Sequence, residues 1–265
     1  MREYISRRFR KMHRLYHFTS YESACNIIRS GQFLFSKCYK LNDLIENRRI
    51  TTHRAFYADL GEDTDIDYIP EMEMMRYQQI SFAQDRMVNG ELSAGFNLHT
   101  MWGLYADKGY GVCLVFDKDK LKLGENDYAT EVVYDNWVMP DVVFQSKSEE
   151  EIRREIWDRK DEFFFRKRKE WEREQEYRII RRAENKNDDE YLDISESLAF
   201  AIICRERILS IDEPIWAGVY YRNIRYLSNR KVHVMWYTPS MDGYCLYNDC
   251  GDPVWTEEGD FEGWD

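Results

Sequence analysis

Residues 14–20 read RLYHFTS, and this stretch predicts a strand that leads directly into a helix. Residues 14–18 alternate in character, as a strand with one buried face does. Ser20, or the threonine before it, can cap the helix, and Gly31 can end it in the left-handed conformation. His17 then lies just before a helix N-terminus, where backbone N–H groups can bind an anion such as a pyrophosphate. A strand histidine is more often a hydrogen-bonded core residue than a ligand, so both interpretations stay open.

A second informative stretch is WEREQEYRII at residues 171–180, where a charged segment gives way to a strand. On a strand, Glu174 and Glu176 point to the same face, because side chains repeat every two residues. Glu176 precedes an apolar segment, and a carboxylate at the edge of a buried segment needs either partners or a function. Two interpretations remain: Glu176 is a functional acid, or it forms a structural ion pair with Arg178 or Arg181.

The rest of the chain alternates between short strand-like and helix-like segments. Strands are predicted at residues 33–36, 77–83, 110–116, 129–134, 176–181, 191–194, 215–221 and 231–237. Helices are predicted at residues 92–106, 148–174 and 198–208, and loops at residues 37–49, with a turn at Asn42-Asp43, and 61–73. No repeat or Gly/Ser/Pro-rich linker divides the chain. We therefore expect an α+β fold with mixed, mainly antiparallel sheets in one domain, residues 1–245, followed by an acidic aromatic tail, residues 246–265.

Composition limits the class of protein. The chain has 265 residues, of which 43% are apolar, as in a globular protein. No run approaches the roughly 20 apolar residues of a membrane span, and no apolar segment near the start suits a secretory signal. We therefore expect a cytoplasmic protein that does not contact a membrane. The six cysteines are scattered and form no CxxC pair, which favours reduced thiols and no metal site.

Charge is unevenly distributed along the chain. The net charge of −11 disfavours a general nucleic-acid binder, because phosphate binding depends on a basic surface. Residues 1–14 are nevertheless basic, and residues 249–265 are acidic with no Lys or Arg. The acidic segment also carries Trp255, Phe261 and Trp264. It is a docking peptide for a protein partner, a cover for the protein's own basic surface, or a solvated tail.

The middle of the chain supplies three further candidate residues. Ser81 offers a hydroxyl at the end of a strand, and Trp102 and Tyr105 offer flat faces on a helix, although such aromatics usually belong to the core. The sequence has no G-x-G-x-x-G, Walker loop, G-x-S-x-G or H-E-x-x-H, which excludes four common catalytic plans.

Taken in order, these segments resemble a widespread bacterial family of unknown function over residues 14–182. Its members typically read YH-Y-T-S, L-N-D, S-F-S, M-W-x-x-Y-A and K-x-x-x-W-x-x-E-x-E-Y-R. The matching residues here are Leu15-Tyr16-His17-Phe18-Thr19, Asn42-Asp43, Ser81-Phe82, Met101-Trp102 with Tyr105, and Trp171 with Glu174-Gln175-Glu176-Tyr177-Arg178. Gly103-Leu104 replaces the small residue and histidine that usually precede this tyrosine, so any role of that histidine is missing.

That family is in turn similar, more distantly, to the ADP-ribosyltransferase superfamily. The resemblance implies two roughly perpendicular, mainly antiparallel sheets with flanking helices, and NAD, a substrate, in the cleft between them. It implies that His17 binds the ribose, that Ser81 faces the nicotinamide side, and that Glu176 is the catalytic acid residue. Cofactor contacts would further come from Tyr16, Thr19 and an aromatic residue stacked on nicotinamide, which is Phe82, Trp102 or Tyr105.

The chemistry suits these residue types. Cleavage of the bond between nicotinamide and ribose develops positive charge on the sugar, and a nearby carboxylate stabilises that charge. A histidine and a stacked aromatic ring position the substrate. The resemblance implies a macromolecular acceptor, in keeping with a toxin or a phage-defence effector. The acidic net charge favours a protein acceptor, and the basic N-terminal segment leaves RNA or DNA open. Two alternatives remain: a non-catalytic nucleotide- or protein-binding module, regulatory or antitoxin-like, and an RNA 2′-phosphotransferase-like enzyme that also consumes NAD.

Overall fold

The computed structural model describes residues 2–38, 72–136, 147–211, 214–229, 232–240, 243–248, 251 and 253–256. The predicted turn at Asn42-Asp43 and most of the loops at 37–49 and 61–73 lie outside these residues. The helices are α1 Arg2–Lys11, α2 Tyr21–Ser30, α3 His99–Tyr105, α4 Glu149–Asp158, α5 Lys160–Phe164, α6 Arg205–Leu209 and α7 Pro214–Asn229.

Among the described residues, strands outnumber helices, and most strand pairings are antiparallel. They are β1 Arg14–Thr19, β2 Gln32–Leu34, β3 Ser36–Lys37, β4 Tyr77–Gln84, β5 Arg86–Val88, β6 Glu91–Ser93, β7 Val112–Asp117, β8 Asp127–Glu131, β9 Val133–Asp135, β10 Arg166–Arg168, β11 Glu176–Arg182, β12 Tyr191–Asp193, β13 Leu198–Cys204, β14 His233–Ser240, β15 Gly243–Asn248 and β16 Pro253–Thr256. A large sheet with several helices confirms the α+β class.

The chain divides into two compact units. The first unit comprises Met1–Phe33, Phe82–Lys122 and Asp193–Asp265, and the second comprises Leu34–Ser81 and Leu123–Leu192. β4 crosses from the second unit into the first between Ser81 and Phe82.

In the first unit the strand order is β16-β15-β14-β13-β7-β1, and the end of β4 pairs with β1. β7 is buried along its whole length between β1 and β13. One core cluster joins strands and helices through residues that include Phe9, Tyr16, Phe18, Trp102 and Phe200. β1 therefore lies between β7 and the end of β4, and it is a strand as the RLYHFTS stretch predicts.

The predicted start and end of α2 are confirmed. The Ser20 hydroxyl accepts a hydrogen bond from the Ser23 backbone N–H at 3.2 Å, which satisfies one of the open donors of the first turn. Gly31 adopts φ 67°, and its N–H donates to the Ile27 carbonyl. Because a side chain is strained at this φ, glycine suits the position.

The second unit contains β8 and β11, which pair from Tyr177 opposite Glu131 to Arg181 opposite Asp127. β4 borders β11, and β3 pairs with β4. β9 and β10 form a separate parallel pair. Apolar residues of α4 and α5 pack against these strands through Ile152, Ile156, Phe163, Phe164, Phe165, Tyr77 and Ile180.

Two predicted elements have the wrong type. Residues 198–208 form β13 and then α6, because β13 is buried between β7 and β14 and its apolar run lacks the alternation of a half-buried strand. Residues 215–221, predicted as a strand, belong to α7.

Two predicted helices have the wrong extent. The helix predicted at 92–106 begins at His99, after β6 and a short 3₁₀ turn. The helix predicted at 148–174 breaks into α4, α5, β10 and a 3₁₀ turn, Lys169–Glu174. Phe163, Phe164 and Phe165 are all buried, and three consecutive buried rings do not fit the narrow apolar stripe of a solvent-facing helix.

Strand pairing extends into the segment that the sequence predicts as a tail. β15 ends at Asn248, and β16 pairs with it through residues such as Trp255 opposite Leu246. Residues 257–265 lie outside the described residues. In the part of the chain that the structure describes, no helix combines the length and apolarity that crossing a membrane requires.

Candidate functional site

Four charged side chains meet in the interior of the second unit, and we call them the Glu176 cluster: Lys167, Glu174, Glu176 and Arg178. Lys167 comes from β10, Glu174 ends the 3₁₀ turn, and the other two belong to β11. Glu176 is only 4% exposed. A buried carboxylate is tolerated when it is paired and hydrogen-bonded, and this cluster meets both conditions.

A bidentate contact in the cluster joins Glu176 to Arg178. The two residues are two apart on β11, so their side chains share one face of the strand. Arg178 Nε donates to Glu176 Oε1 at 2.7 Å, and Arg178 Nη2 donates to Oε2 at 2.9 Å. Arg178 Nη1 also donates to the Phe164 carbonyl. The sequence alternative of an ion pair between Glu176 and Arg178 is therefore confirmed, whereas Arg181 pairs with Asp127 instead.

Lys167 bridges the two carboxylates of the cluster. Its Nζ lies 2.6 Å from Glu174 Oε2 and 3.4 Å from Glu176 Oε2. The same ammonium lies 5.0 Å from the centre of the Trp171 ring, within range of a cation–π contact. Glu174 and Glu176 converge through a turn at Gln175, which adopts φ 48°, and not through strand alternation as the sequence suggests.

The environment keeps Glu176 ionised. Burial alone raises the pKa of its carboxyl, but the charges of Arg178 and Lys167 and hydrogen bonds from Arg178 and Ser81 outweigh burial and lower the pKa below its ordinary value. The Glu176 backbone N–H donates to the Tyr134 hydroxyl at 2.9 Å, and burial raises the pKa of that tyrosine. Two cations and two carboxylates leave the Glu176 cluster neutral overall.

Ser81 is the one other predicted catalytic residue that contacts Glu176 within the second unit. A hydrogen bond joins its side chain to the Glu176 carboxylate, and its hydroxyl accepts another from Gln79 Nε2 at 3.0 Å. Gln79 in turn lies 3.7 Å from the Cys38 sulfur. The polar side chains of β4 thus extend the hydrogen-bonded system of the Glu176 cluster.

His17 lies in the first unit, on β1 opposite Leu114. Its half-buried ring meets Phe33 edge-on at 4.5 Å between ring centres, and Phe82 at 6.3 Å. Because Ser81 and Phe82 are consecutive on β4, their side chains leave opposite faces of that strand. Phe82 therefore packs against His17 in the first unit, and Ser81 lies beside Glu176 in the second unit.

Tyr16 is part of a buried polar network on β1. Its hydroxyl donates to Asp85 Oδ1 at 3.0 Å, and Arg14 Nε donates to Asp85 Oδ2 at 2.8 Å. Burial raises the pKa of Tyr16 well above its ordinary value. Thr19 ends β1 opposite Val112 and is half-buried.

The two helix aromatics belong to the core cluster of the first unit. Trp102 stacks on Tyr237 at 5.5 Å between ring centres, and its Nε1 donates to the Phe96 carbonyl at 2.8 Å. Tyr105 is partly buried against the same cluster. The core interpretation of Trp102 is therefore the one that its contacts support.

Lys167 is the member of the cluster that the sequence does not reveal, because residues 148–174 read as one helix with a solvated charged face. One feature of the sequence could have indicated that this segment is not a single helix: three consecutive phenylalanines, Phe163–Phe165, lie where helix α5 ends. Within the described ranges, no group of three or more His, Cys, Asp or Glu could hold a metal ion. Cys25, Cys38, Cys113, Cys204 and Cys245 are free thiols.

Comparison with known proteins bears on this same part of the chain. No curated protein and no solved structure was found to match. A family model described as "Protein of unknown function (DUF2971)" matches residues 101–179, a segment that contains all four residues of the Glu176 cluster.

Proposed function

We propose that the protein is an NAD-dependent ADP-ribosyltransferase, acting as a toxin or phage-defence effector, in which Glu176 stabilises the positive charge that develops on the ribose. The observation that carries the proposal is the buried carboxylate of Glu176, which Arg178 holds at 2.7 and 2.9 Å and whose pKa is lowered by Arg178, Lys167 and Ser81. Ser81 and Glu176 come from separate strands, β4 and β11, and both are catalytic candidates by the resemblance to ADP-ribosyltransferases. The arrangement of two roughly perpendicular sheets, with NAD between them, is part of the proposal.

The proposed reaction breaks the bond between the nicotinamide nitrogen and ribose C1′, and the electron pair leaves with nicotinamide. An acceptor nucleophile then forms a bond to C1′ and loses its proton to water. The transition state is cationic at the sugar, so it needs a carboxylate that is already ionised and held in place. Arg178, Lys167 and Ser81 hold Glu176 in that state.

The proposed NAD contacts outside the cluster come from β1 and from an aromatic residue. His17 and Thr19 would contact the ribose, and Tyr16 would support β1 through its bond to Asp85. Phe82 and Trp102 are almost fully buried, whereas Tyr105 is only partly buried. The proposal therefore favours Tyr105 as the ring that stacks on nicotinamide.

The test is an assay with labelled NAD that measures both nicotinamide release and transfer to protein, RNA or DNA. Glu176→Gln should lower the rate at least about 100-fold, because it removes the charge that faces the transition state. Glu174→Gln is the matched control, since it removes a carboxylate from the same lysine, and we expect a smaller loss. Equal rates for wild type and folded Glu176→Gln protein would contradict the proposal.

A second candidate function is favoured by one specific observation. Both oxygens of Glu176 already contact cations, Oε1 through Arg178 and Oε2 through Arg178 and Lys167. Cations at this distance cancel much of the field that would stabilise a ribosyl cation. A non-catalytic nucleotide- or protein-binding module fits this arrangement. Calorimetry would support it if wild type and the His17→Ala/Glu176→Gln protein bound NAD equally well without turnover.

A further inference from the structure

Helix α1 separates apolar from basic side chains. Phe9 and Met12 face the core of the first unit. Arg7, Arg10 and Lys11 are exposed, and at 3.6 residues per turn they share the side of the helix away from those two apolar residues. α1 therefore presents a basic face to solvent.

A neighbouring turn, Lys118–Lys120, borders the end of α1 and carries both signs of charge. The backbone N–H of Lys118 donates to the His13 carbonyl at 2.8 Å, and the exposed His13 ring lies 3.0 Å from Asp119. Lys120 is exposed beside this contact and pairs with Asp117 at 3.2 Å. We call the exposed group Arg7, Arg10 and Lys11 the α1 surface.

The sign of the charge makes the α1 surface unusual in this chain. Residues 2–14 carry six basic residues and one acidic residue, although the whole chain has a net charge of −11. Solvent exposure alone explains charged side chains but not this excess of one sign. The exposed side of α4, by contrast, carries both signs, and Glu150 and Arg154 pair there at 3.4 Å. A concentrated basic face attracts polyanions even on an acidic protein.

We propose that the α1 surface binds the phosphate backbone of a nucleic acid. Arginine presents a fork of N–H donors that matches phosphate oxygens, and two of the three exposed cations on α1 are arginines. If the proposed transferase activity holds, on which this further step rests, the α1 surface selects a nucleic acid and not a protein as the acceptor.

The experiment measures binding of a short labelled single-stranded RNA, and of DNA of the same sequence, by fluorescence anisotropy without NAD. With about three phosphates neutralised, affinity for a single strand should fall roughly 20-fold between about 50 and 200 mM salt. Binding without NAD makes the result independent of catalysis, so folded Glu176→Gln protein should bind as wild type does. A failure of binding is thereby distinguished from a failure of the transferase proposal.

The variant that tests the surface is Arg7→Glu/Arg10→Glu. It should weaken binding at least about 10-fold. It should also reduce the slope of log K against the logarithm of the salt concentration by about one for each lost phosphate contact. Arg153→Glu/Arg154→Glu is the matched control, because it changes the net charge equally on the exposed side of α4 and should bind nearly as wild type does. Equal weakening by both variants, or no binding of RNA or DNA by wild type, would overturn the proposal. Displacement of RNA by polyglutamate at equal charge concentration would also overturn it, since it would indicate an acidic protein partner.

Discussion

Replacing Arg178 by methionine tests how strongly the Glu176 cluster supports the fold. The guanidinium makes two charge-assisted hydrogen bonds to Glu176, at 2.7 and 2.9 Å, and a third to the Phe164 carbonyl. Methionine fills much of the volume of the arginine stem and removes the charge. Glu176 would then keep Lys167, at 3.4 Å, as its cationic partner.

The expected loss follows from burial. Arg178 is 1% exposed, and removing one partner of a buried ion pair costs about 3–5 kcal/mol, because the remaining charge stays in a poorly solvating interior. The exposed pair of Arg154 and Glu150 provides the contrast, since its side chains are 67% and 73% exposed. Arg154→Met should therefore cost less than about 0.5 kcal/mol.

The assay is urea denaturation followed by tryptophan fluorescence. With a slope of about 2 kcal/mol per molar, Arg178→Met should lower the midpoint by about 2 M, while the slope stays unchanged. The double variant Glu176→Gln/Arg178→Met should cost less than the sum of the two single variants, because it removes both charges together. A loss below about 1 kcal/mol for Arg178→Met, close to that of Arg154→Met, would refute this account of the cluster.

Two further predictions concern acid stability and backbone packing. The pKa of Glu176 is lowered in the folded protein, so its contribution is complete above the unfolded value of about 4.3 and is lost as the pH falls below it. Denaturation between about pH 5 and 3 should show a shallower decline of unfolding free energy for Glu176→Gln than for wild type, and parallel curves would contradict the assignment. Gly111→Ala should destabilise by roughly 1–3 kcal/mol, because a Cβ there would lie 2.3 Å from the Thr19 carbonyl oxygen. Gly103 lies within α3, and a Cβ there would meet no atom within 4 Å, so Gly103→Ala should instead raise the thermal midpoint slightly. The opposite order of the two alanine variants would be inconsistent with the structure.

Local signals in the sequence predicted much of the secondary structure. The Ser20 cap and the left-handed Gly31 depend on residues within one or two turns, and the structure confirms both. The β11 strand was predicted from its alternation and begins at Glu176 as expected. The run LAFAIIC, residues 198–204, was wrongly predicted as a helix, because a strand that is buried on both faces shows no alternation of polar and apolar residues. Its pairing between β7 and β14 makes it a strand.

The candidate site also contains residues that the sequence identifies and one residue that it does not. Sequence motifs identified Ser81 and Glu176 as candidate site residues. The spacing of Glu176 and Arg178 on one strand allowed their ion pair to be predicted as one alternative. The role of Lys167 could not be predicted, because in the sequence it resembles the other charged residues of a solvent-exposed helix. Its burial between two carboxylates depends on where β10 and the 3₁₀ turn fold back.

By itself, then, the sequence determined the local elements around RLYHFTS, the basic character of α1 and the identity of the acid on β11. The tertiary structure alone decided which charges surround that acid, that Ser81 bonds to it, and that His17 lies against Phe33 and Phe82 in the other unit. The physical reason is the distance along the chain between the residues that interact. Caps and alternation act between neighbours in the chain, whereas the pKa and the pairing of a buried carboxylate depend on groups that only folding brings within a few ångströms.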